Sequence, residues 1–240
     1  MKRWRSFVPL IVLVAIGIAL LSTGQLNRFR PETLAVEQAN LQAQIAASPF
    51  LAGLIDIGVI TLAISTGIPG VIVLILAGGM LFGTLYGTML ASVGVTLGAF
   101  TLFLASRHAF GDHKHGETAP GLVGRLRGGY LAHPVSYTFF LRLVPFFPFG
   151  GVTVGLAWLR CPIWLFLTAT AFGGSVMTGI ETALGAGLAK NIGENHAVSL
   201  SLFDDPHVYV PLIGMGLLAL LPIAIAKLRG KKAPVDPLKP

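Results

Sequence analysis

The sequence predicts an all-α integral membrane protein, and three observations carry that prediction. More than half of the residues (54%) are apolar and only 11% are charged, against roughly one quarter charged in a soluble domain. The apolar residues fall in runs of about the length that crosses a hydrocarbon core. Glycine, with 30 residues, lies mostly inside those runs, where it weakens a water-exposed helix but allows close helix contact in lipid. The architecture expected is four transmembrane helices plus two re-entrant helical hairpins in an inverted repeat.

The elements follow in order. Lys2, Arg3 and Arg5 precede an uncharged run from Ser6 to Gly24. This run is long for a signal peptide and lacks an Ala-x-Ala cleavage site, so it reads as a retained first span. Gln25 to Ser48 mixes charge and helix formers and reads as a short interfacial helix, which closes a first segment, 1–48. From Pro49 to Ser106 the chain is nearly all apolar, but Gly67-Ile68-Pro69-Gly70 interrupts it, because proline lacks a donor and restricts its predecessor. The arms Phe50 to Thr66 and Val71 to Gly83 are each short for a crossing, and no charge holds their turn at a water surface. A re-entrant hairpin with Pro69 and Gly70 at its tip is expected; such backbone survives at membrane depth only where protein or a wet cavity covers it. Thr84 to Ser106 is then a full span.

Arg107 to Pro134 is polar and forms the longest loop. Val135 to Leu159 is apolar and broken at Pro145-Phe146-Phe147-Pro148-Phe149-Gly150-Gly151, so a second hairpin is expected with Gly150 and Gly151 at its tip. Pro162 to Ala189 is a long span and completes a core of 49–189. Lys190 to His207 is an acidic loop and Val208 to Ala226 the last span, within a segment of 190–228. A basic tail, 229–240, reads as disordered. The lysine and arginine bias of the loops agrees with one orientation: the N-terminus, the central loop and the tail cytoplasmic, at a cell (inner) membrane.

Hairpin plus span, repeated from opposite faces, is the layout in which discontinuous helices build a polar site near the midplane. Ionisable side chains within the apolar stretches are Asp56, Arg142 and Glu181, each costing about 2.5 to 3.5 kcal/mol at a helix centre on insertion scales. Arg142 precedes the second break, and its planar fork suits a phosphate. It is the first choice for a lipid-headgroup ligand, set against a structural role in pairing with a carboxylate or capping carbonyls. Pro145 and Pro148 frame the same break and are grouped with Arg142 as headgroup-binding residues. Glu181 shares a helix face with Gly174, Thr178 and Gly185; it is read as the counter-ion of Arg142 or as a proton carrier. Asp56, nearer the outer entrance of the first hairpin, is a second candidate for an ion pair or proton coupling, set against a place at the membrane interface. Gly83, Gly87 and Ala91, with Gly179, Ala183 and Gly187, are read as packing residues.

Other chemistry is not expected. Cys161 is the only cysteine, so no intramolecular disulfide or thiolate cluster can form. Asp112-His113-Lys114-His115 lacks metal-ligand spacing and reads as solvated loop. No phosphate loop, nucleophile elbow or paired catalytic carboxylates occur in a water-accessible segment, so neither enzyme, cofactor nor metal is expected. The net charge of +7 is spread over loops and ends rather than one face, which argues for membrane topology instead of nucleic acid.

From Ala63 to Leu188 the chain resembles the DedA and VTT-domain proteins, also called SNARE-associated Golgi proteins. The marks are Pro69-Gly70, Gly78-Gly79-Met80-Leu81-Phe82-Gly83 with Gly87, the span ending Ala105-Ser106-Arg107, and Phe140-Leu141-Arg142-Leu143-Val144-Pro145 followed by Pro148 and Gly155-Leu156. The resemblance implies paired re-entrant hairpins and movement of phospholipid or polyprenyl-phosphate lipid between leaflets, in some members linked to the proton gradient. Val71 and Pro148 stand where the better-studied bacterial branch carries an acidic residue and a second arginine, which brings the chain closer to the VTT branch and questions proton coupling. The expected function is therefore a lipid translocator with membrane lipids as partners, and homo-oligomer formation is compatible with it. The rival readings are an ion- or proton-coupled small-solute transporter and a non-transporting organiser of membrane proteins.

Overall fold

The computed structural model describes residues 2–23, 40–68, 70–110, 127, 130–131, 133–143 and 147–193, with isolated positions between 206 and 217. Pro69, Pro145, Asp112 to His115, the 194–205 loop, the disorder expected of the tail and the path of the last span lie outside the described residues. All regular structure among the described residues is helical.

Helix α1 is Lys2–Ser22, and α2 is Asn40–Ala47, which meets α3, Pro49–Ser65, at 112°. That near-perpendicular entry suits a helix lying along a surface and feeding one that enters the apolar layer. Helix α3 stops at Thr66, and Gly67 and Gly70 take φ of 70° and 87°, a left-handed conformation that glycine adopts without a Cβ clash. Helix α4, Val71–Phe82, runs back from this break. Gly83 then turns the chain into α5, Thr84–Phe110, of 27 residues. Helix α5 extends past the expected end at Ser106. Arg107 is thus helical rather than part of a loop, and its Nη1 donates to the carbonyl of Cys161 at 3.0 Å.

The second half has the same plan. Helix α6 is Pro134–Leu143, α7 is Phe149–Trp158 and α8 is Ile163–Gly193. Gly150 and Gly151, expected in the tip, belong to the first turn of α7 instead. Pro148 supplies the helix N-cap in an extended conformation, because a proline just before the first turn loses no helical hydrogen bond. Two described helices, Thr84–Ala109 and Ile163–Lys190, are long and apolar enough to cross a membrane, and the bent α2–α3 pair would make a third.

Polar and small side chains bring α5 and α8 together antiparallel. Thr88 and Thr182 hydroxyls lie 2.6 Å apart, and Ser92 and Thr178 hydroxyls 2.9 Å apart. Each hairpin's first arm packs on the span that follows it, α3 on α5 and α6 on α8, whereas each second arm packs on the other half's span, α4 on α8 and α7 on α5. Of the small residues singled out from four-residue spacing, Gly87 faces backbone, with the Gly78 carbonyl 3.1 Å from a Cβ built on it, but the tightest approaches lie elsewhere. A Cβ on Gly79 would collide with the Thr182 backbone, and one on Gly185 with the Leu76 carbonyl. A Cβ on Gly98 would likewise meet the Thr61 carbonyl of α3, and one on Gly94 the Ile60 side chain. Gly83 lies between helices and Gly179 meets only the Thr88 side chain, because the crossing angles, not the spacing alone, select which glycine faces a backbone.

The Thr88–Thr182 contact should be measurable. A double-mutant cycle with valine at both positions is expected to give a coupling of about 0.6 kcal/mol, the average for interhelical hydrogen bonds in membranes. Reversible unfolding in mixed micelles would read it, and zero coupling would mean that the hydroxyls only fill space.

Candidate functional site

The two breaks in the helical hairpins meet at one place. A cavity of about 500 Å³ is bounded by Gly67, Ile68, Gly70 and Ile72 from the first hairpin and by Arg142 and Phe147–Gly151 from the second. Its floor is Val95 of α5 with Gly174, Met177, Thr178 and Glu181 of α8. Val95 and Gly174 lie near the middle of the two long apolar helices, so the cavity sits about halfway along them. Its rim is apolar and exposed: Ile72 and Phe147 retain 41% and 43% of their accessible surface.

Arg142 occupies the last turn of α6 and is only 5% exposed. Gly173 of α8 lets that helix approach, since a Cβ there would stand 3.1 Å from Cβ of Arg142. The guanidinium lies between two rings, 4.3 Å from the centroid of Phe149 and 4.9 Å from that of Phe166. Phe166 is itself held by stacking on Phe103 at 4.0 Å. One amino group, Nη2, donates to Oγ1 of Thr153 at 3.1 Å, and that hydroxyl donates onward to the carbonyl of Phe149. Nε and Nη1 are buried without a hydrogen-bond partner.

A guanidinium carries five N–H donors, and here most are unmet. Ring contacts attract the charge but accept no hydrogen bond in the guanidinium plane, where a desolvated cation–π contact contributes about 2 kcal/mol. Leaving buried charged donors unsatisfied costs more than about 1–3 kcal/mol. The rings and Thr153 therefore hold the fork in one orientation while its remaining donors await an acceptor. A tetrahedral oxyanion suits that vacancy, because a planar fork can place two parallel hydrogen bonds on it.

Glu181 lines the same cavity, half-buried, on the face it shares with Gly174 and Thr178. No hydrogen bond or ion pair joins it to Arg142, whose one bonded amino group is taken by Thr153. The sequence contained the signal for Thr153, a hydroxyl one turn into the helix after the break, but not its direction. Gly185, on the same face as Glu181, is used in packing against Leu76.

Asp56 is placed apart. Its carboxylate fits the space left by Gly78, with Oδ1 3.4 Å from where a Cβ would be, and Oδ2 is buried without a partner. It lies between the arms of the first hairpin and does not line the cavity. Of the residues expected at the tips, Gly70, Gly150 and Gly151 line the cavity, as does Pro148 of the headgroup set, while Pro69 of the tips and Pro145 of the headgroup set fall outside the described residues. No group of His, Cys, Asp and Glu among the described residues is arranged to hold a metal ion.

No solved structure matches the chain. The family model of the VTT domain matches residues 68–187, a span that runs from the first break, through α4 to α7, to near the end of α8 and takes in all of the cavity's lining residues but Ile64 and Gly67. Apolar helices of membrane-crossing length, two interrupted hairpins and this match lead to one conclusion: the chain is a membrane protein, with only helices as regular structure among its described residues, that belongs to the DedA/VTT-domain family.

Proposed function

We propose that this protein is a lipid translocator of the flippase or scramblase type, in which Arg142 receives the phosphate of a phospholipid or polyprenyl-phosphate headgroup between two re-entrant hairpins. The carrying observation is a buried guanidinium with unmet donors facing a cavity enclosed by both helix breaks. In this reading α1, α5, α8 and the segment Val208 to Ala226 are the four spans, and both termini are cytoplasmic at the inner membrane. The exchange of second arms between halves supports an inverted repeat, since it is the packing that a twofold axis in the membrane plane would generate. The exposed apolar rim supports acyl chains remaining in the bilayer while the headgroup passes the cavity. Lipid is the partner in this scheme, and no covalent step is needed.

The test is reconstitution of the pure protein in liposomes carrying a fluorescent anionic lipid, followed by chemical bleaching of the outer leaflet. Loss of more than the outer-leaflet signal is expected. Bleaching that stops at the outer leaflet, as in empty liposomes, for every anionic lipid tried would remove the proposal.

The depth of the hairpin tips has its own test. With Cys161 replaced by alanine, single cysteines at Gly70 and Pro148 are expected to react slowly with membrane-impermeant maleimides from either side. A control cysteine in the 111–126 loop should react from the cytoplasmic side. Fast labelling of the two tips from opposite faces would make the hairpins ordinary crossings.

Glu181 at the cavity wall supports a second reading, an ion-coupled transporter of a small solute. It requires solute-dependent proton uptake that Glu181→Gln abolishes; a lipid translocator with no coupling would leave external pH unchanged.

A further inference from the structure

Both helices that leave the breaks start at the central cavity. Gly70 to Ile72 at the head of α4 and Pro148 to Gly151 at the head of α7 line it together. The first turn of a helix carries N–H groups with no carbonyl four residues back to receive them. In α4 the N-cap carbonyl of Gly70 receives Val73 N–H at 3.0 Å, and in α7 that of Pro148 receives Val152 N–H at 3.0 Å. The N–H groups of Val71, Ile72, Gly150 and Gly151 lie ahead of these bonds. A side-chain oxygen at the N-cap ordinarily takes such groups, but Gly70 and Pro148 have none, and neither helix start carries a side-chain cap.

Helix α7 opens with two glycines in succession, although packing does not require them. A Cβ on Gly150 would meet nothing within 4 Å, and one on Gly151 only the Pro148 ring. Glycine weakens a helix; its effect here is to leave bare backbone at the cavity wall, where a ligand can approach closely. The second observation is Arg142. It is only 5% exposed, lines the same cavity, and has Nε and Nη1 without a partner. Three sets of donors therefore face one space: a guanidinium edge and two helix starts, each at the positive end of its dipole. Backbone donors at membrane depth need an acceptor, and the acceptor common to all three sets is an oxyanion.

We propose that the first-turn N–H groups of α4 and α7 complete a phosphate cradle around Arg142, so that backbone from both hairpins and the guanidinium hold one phosphate at once. Helix starts bind phosphate through such groups, and half-helices in transporters turn their positive ends toward anionic substrate. The inference rests on the headgroup reading of Arg142 and adds the backbone ligands to it. The phosphate bridges the two halves of the molecule, and the first hairpin, which has no cationic residue at its break, takes part through backbone alone.

Amide resonances report on the cradle directly. Full-length protein with isotope-labelled glycine and isoleucine amides, in dodecylmaltoside, is titrated with short-chain phosphatidylglycerol and, in a second arm, with inorganic phosphate. The amide protons of Gly150, Gly151 and Ile72 are expected to move downfield as the lipid saturates, because an amide proton is deshielded on gaining an anionic acceptor. Gly155, on α7 but outside the cavity with open space around it, should stay in place. Pro148→Asp, whose carboxylate caps α7 and occupies its N–H groups, is expected to bind the lipid roughly tenfold more weakly than Pro148→Ala, with an equal or higher thermal midpoint. Pro148→Ser, a cap without charge, should lose about threefold, and the parent titration stands whether or not these variants fold. Amides of both helices that stay in place at saturation, in a protein whose lipid binding Arg142→Met abolishes, would overturn this inference and leave the headgroup reading standing. Movement in one helix alone would overturn the bridging of the two hairpins. A parent that binds neither lipid nor inorganic phosphate would remove the headgroup reading and the cradle with it. Inorganic phosphate that moves the same amides with equal affinity would assign the cradle to a soluble anion and overturn the lipid assignment.

Discussion

Arg142→Met is expected to reduce lipid transfer in liposomes roughly a hundredfold, towards the rate of protein-free vesicles, without loss of thermal stability. Two charge-assisted hydrogen bonds to a phosphate, at about 1.5–3 kcal/mol each, exceed the 2.7 kcal/mol or so that corresponds to a hundredfold change. Stability should respond differently. The guanidinium is desolvated and has one hydrogen-bond acceptor, Thr153, whose hydroxyl keeps its bond to the Phe149 carbonyl when the arginine is gone. Replacing such a charge with an apolar side chain of similar volume is commonly neutral or stabilising. Arg142→Lys should fall between, since an ammonium keeps the charge but loses the fork. The measurement pairs the liposome assay with a thermal melt in detergent. A methionine variant that melts early would make Arg142 a structural residue, and one that moves lipid at the parental rate would exclude it as the headgroup ligand.

Gly79→Ala and Gly185→Ala are expected to cause the largest losses of stability in the core, about 3 kcal/mol or more each. These two glycines let α4 and α8 touch backbone to backbone, Gly79 on Thr182 and Gly185 on Leu76. A backbone cannot rotate aside as a side chain can, so one added methyl must separate the helices, and overpacking of 1–3 kcal/mol is the ordinary cost where neighbours can shift, so roughly 3 is a minimum here. Separation would also pull apart the Thr88–Thr182 hydroxyl pair and move the floor of the cavity. Gly58 is the control. Nothing lies within 4 Å of a Cβ there, and Gly58→Ala should be neutral or raise stability by up to about 1 kcal/mol through helix propensity. Size-exclusion of heated detergent samples gives the comparison. Equal melting of the Gly79 and Gly58 variants would show that the α4–α8 contact is not tight.

The membrane class, the two long apolar helices and the positions of both helix interruptions were legible because each depends on local chemistry. Apolar run length is set by the solvent a helix must match, and a proline beside glycine, as at Pro69-Gly70, or two prolines close together, as at Pro145 and Pro148, interrupt a helix through local backbone restriction, whereas the lone Pro9 stays inside α1. Arg142 was legible for the same reason, as a charge in an apolar run. Its partner was not. Glu181 and Thr153 were both within reach of a reading based on helix faces, and only the angle at which α7 returns from the break turned Thr153 toward the guanidinium. The same holds for part of the glycines: four-residue spacing marked Gly87, which does face the Gly78 backbone, as well as Gly83 and Gly179, which face none, while the crossing of α4 over α8 placed the tightest contacts at Gly79 and Gly185.

What the sequence by itself determined was therefore which segments live in lipid, where they are interrupted and which charges they carry, because hydropathy and backbone restriction act residue by residue. Tertiary structure alone decided that both interruptions face one cavity, that a hydroxyl and two aromatic rings rather than a carboxylate hold the arginine, and that Asp56 stays outside. Those outcomes depend on how helices cross, and a crossing is settled by the summed fit of many side chains from distant parts of the chain.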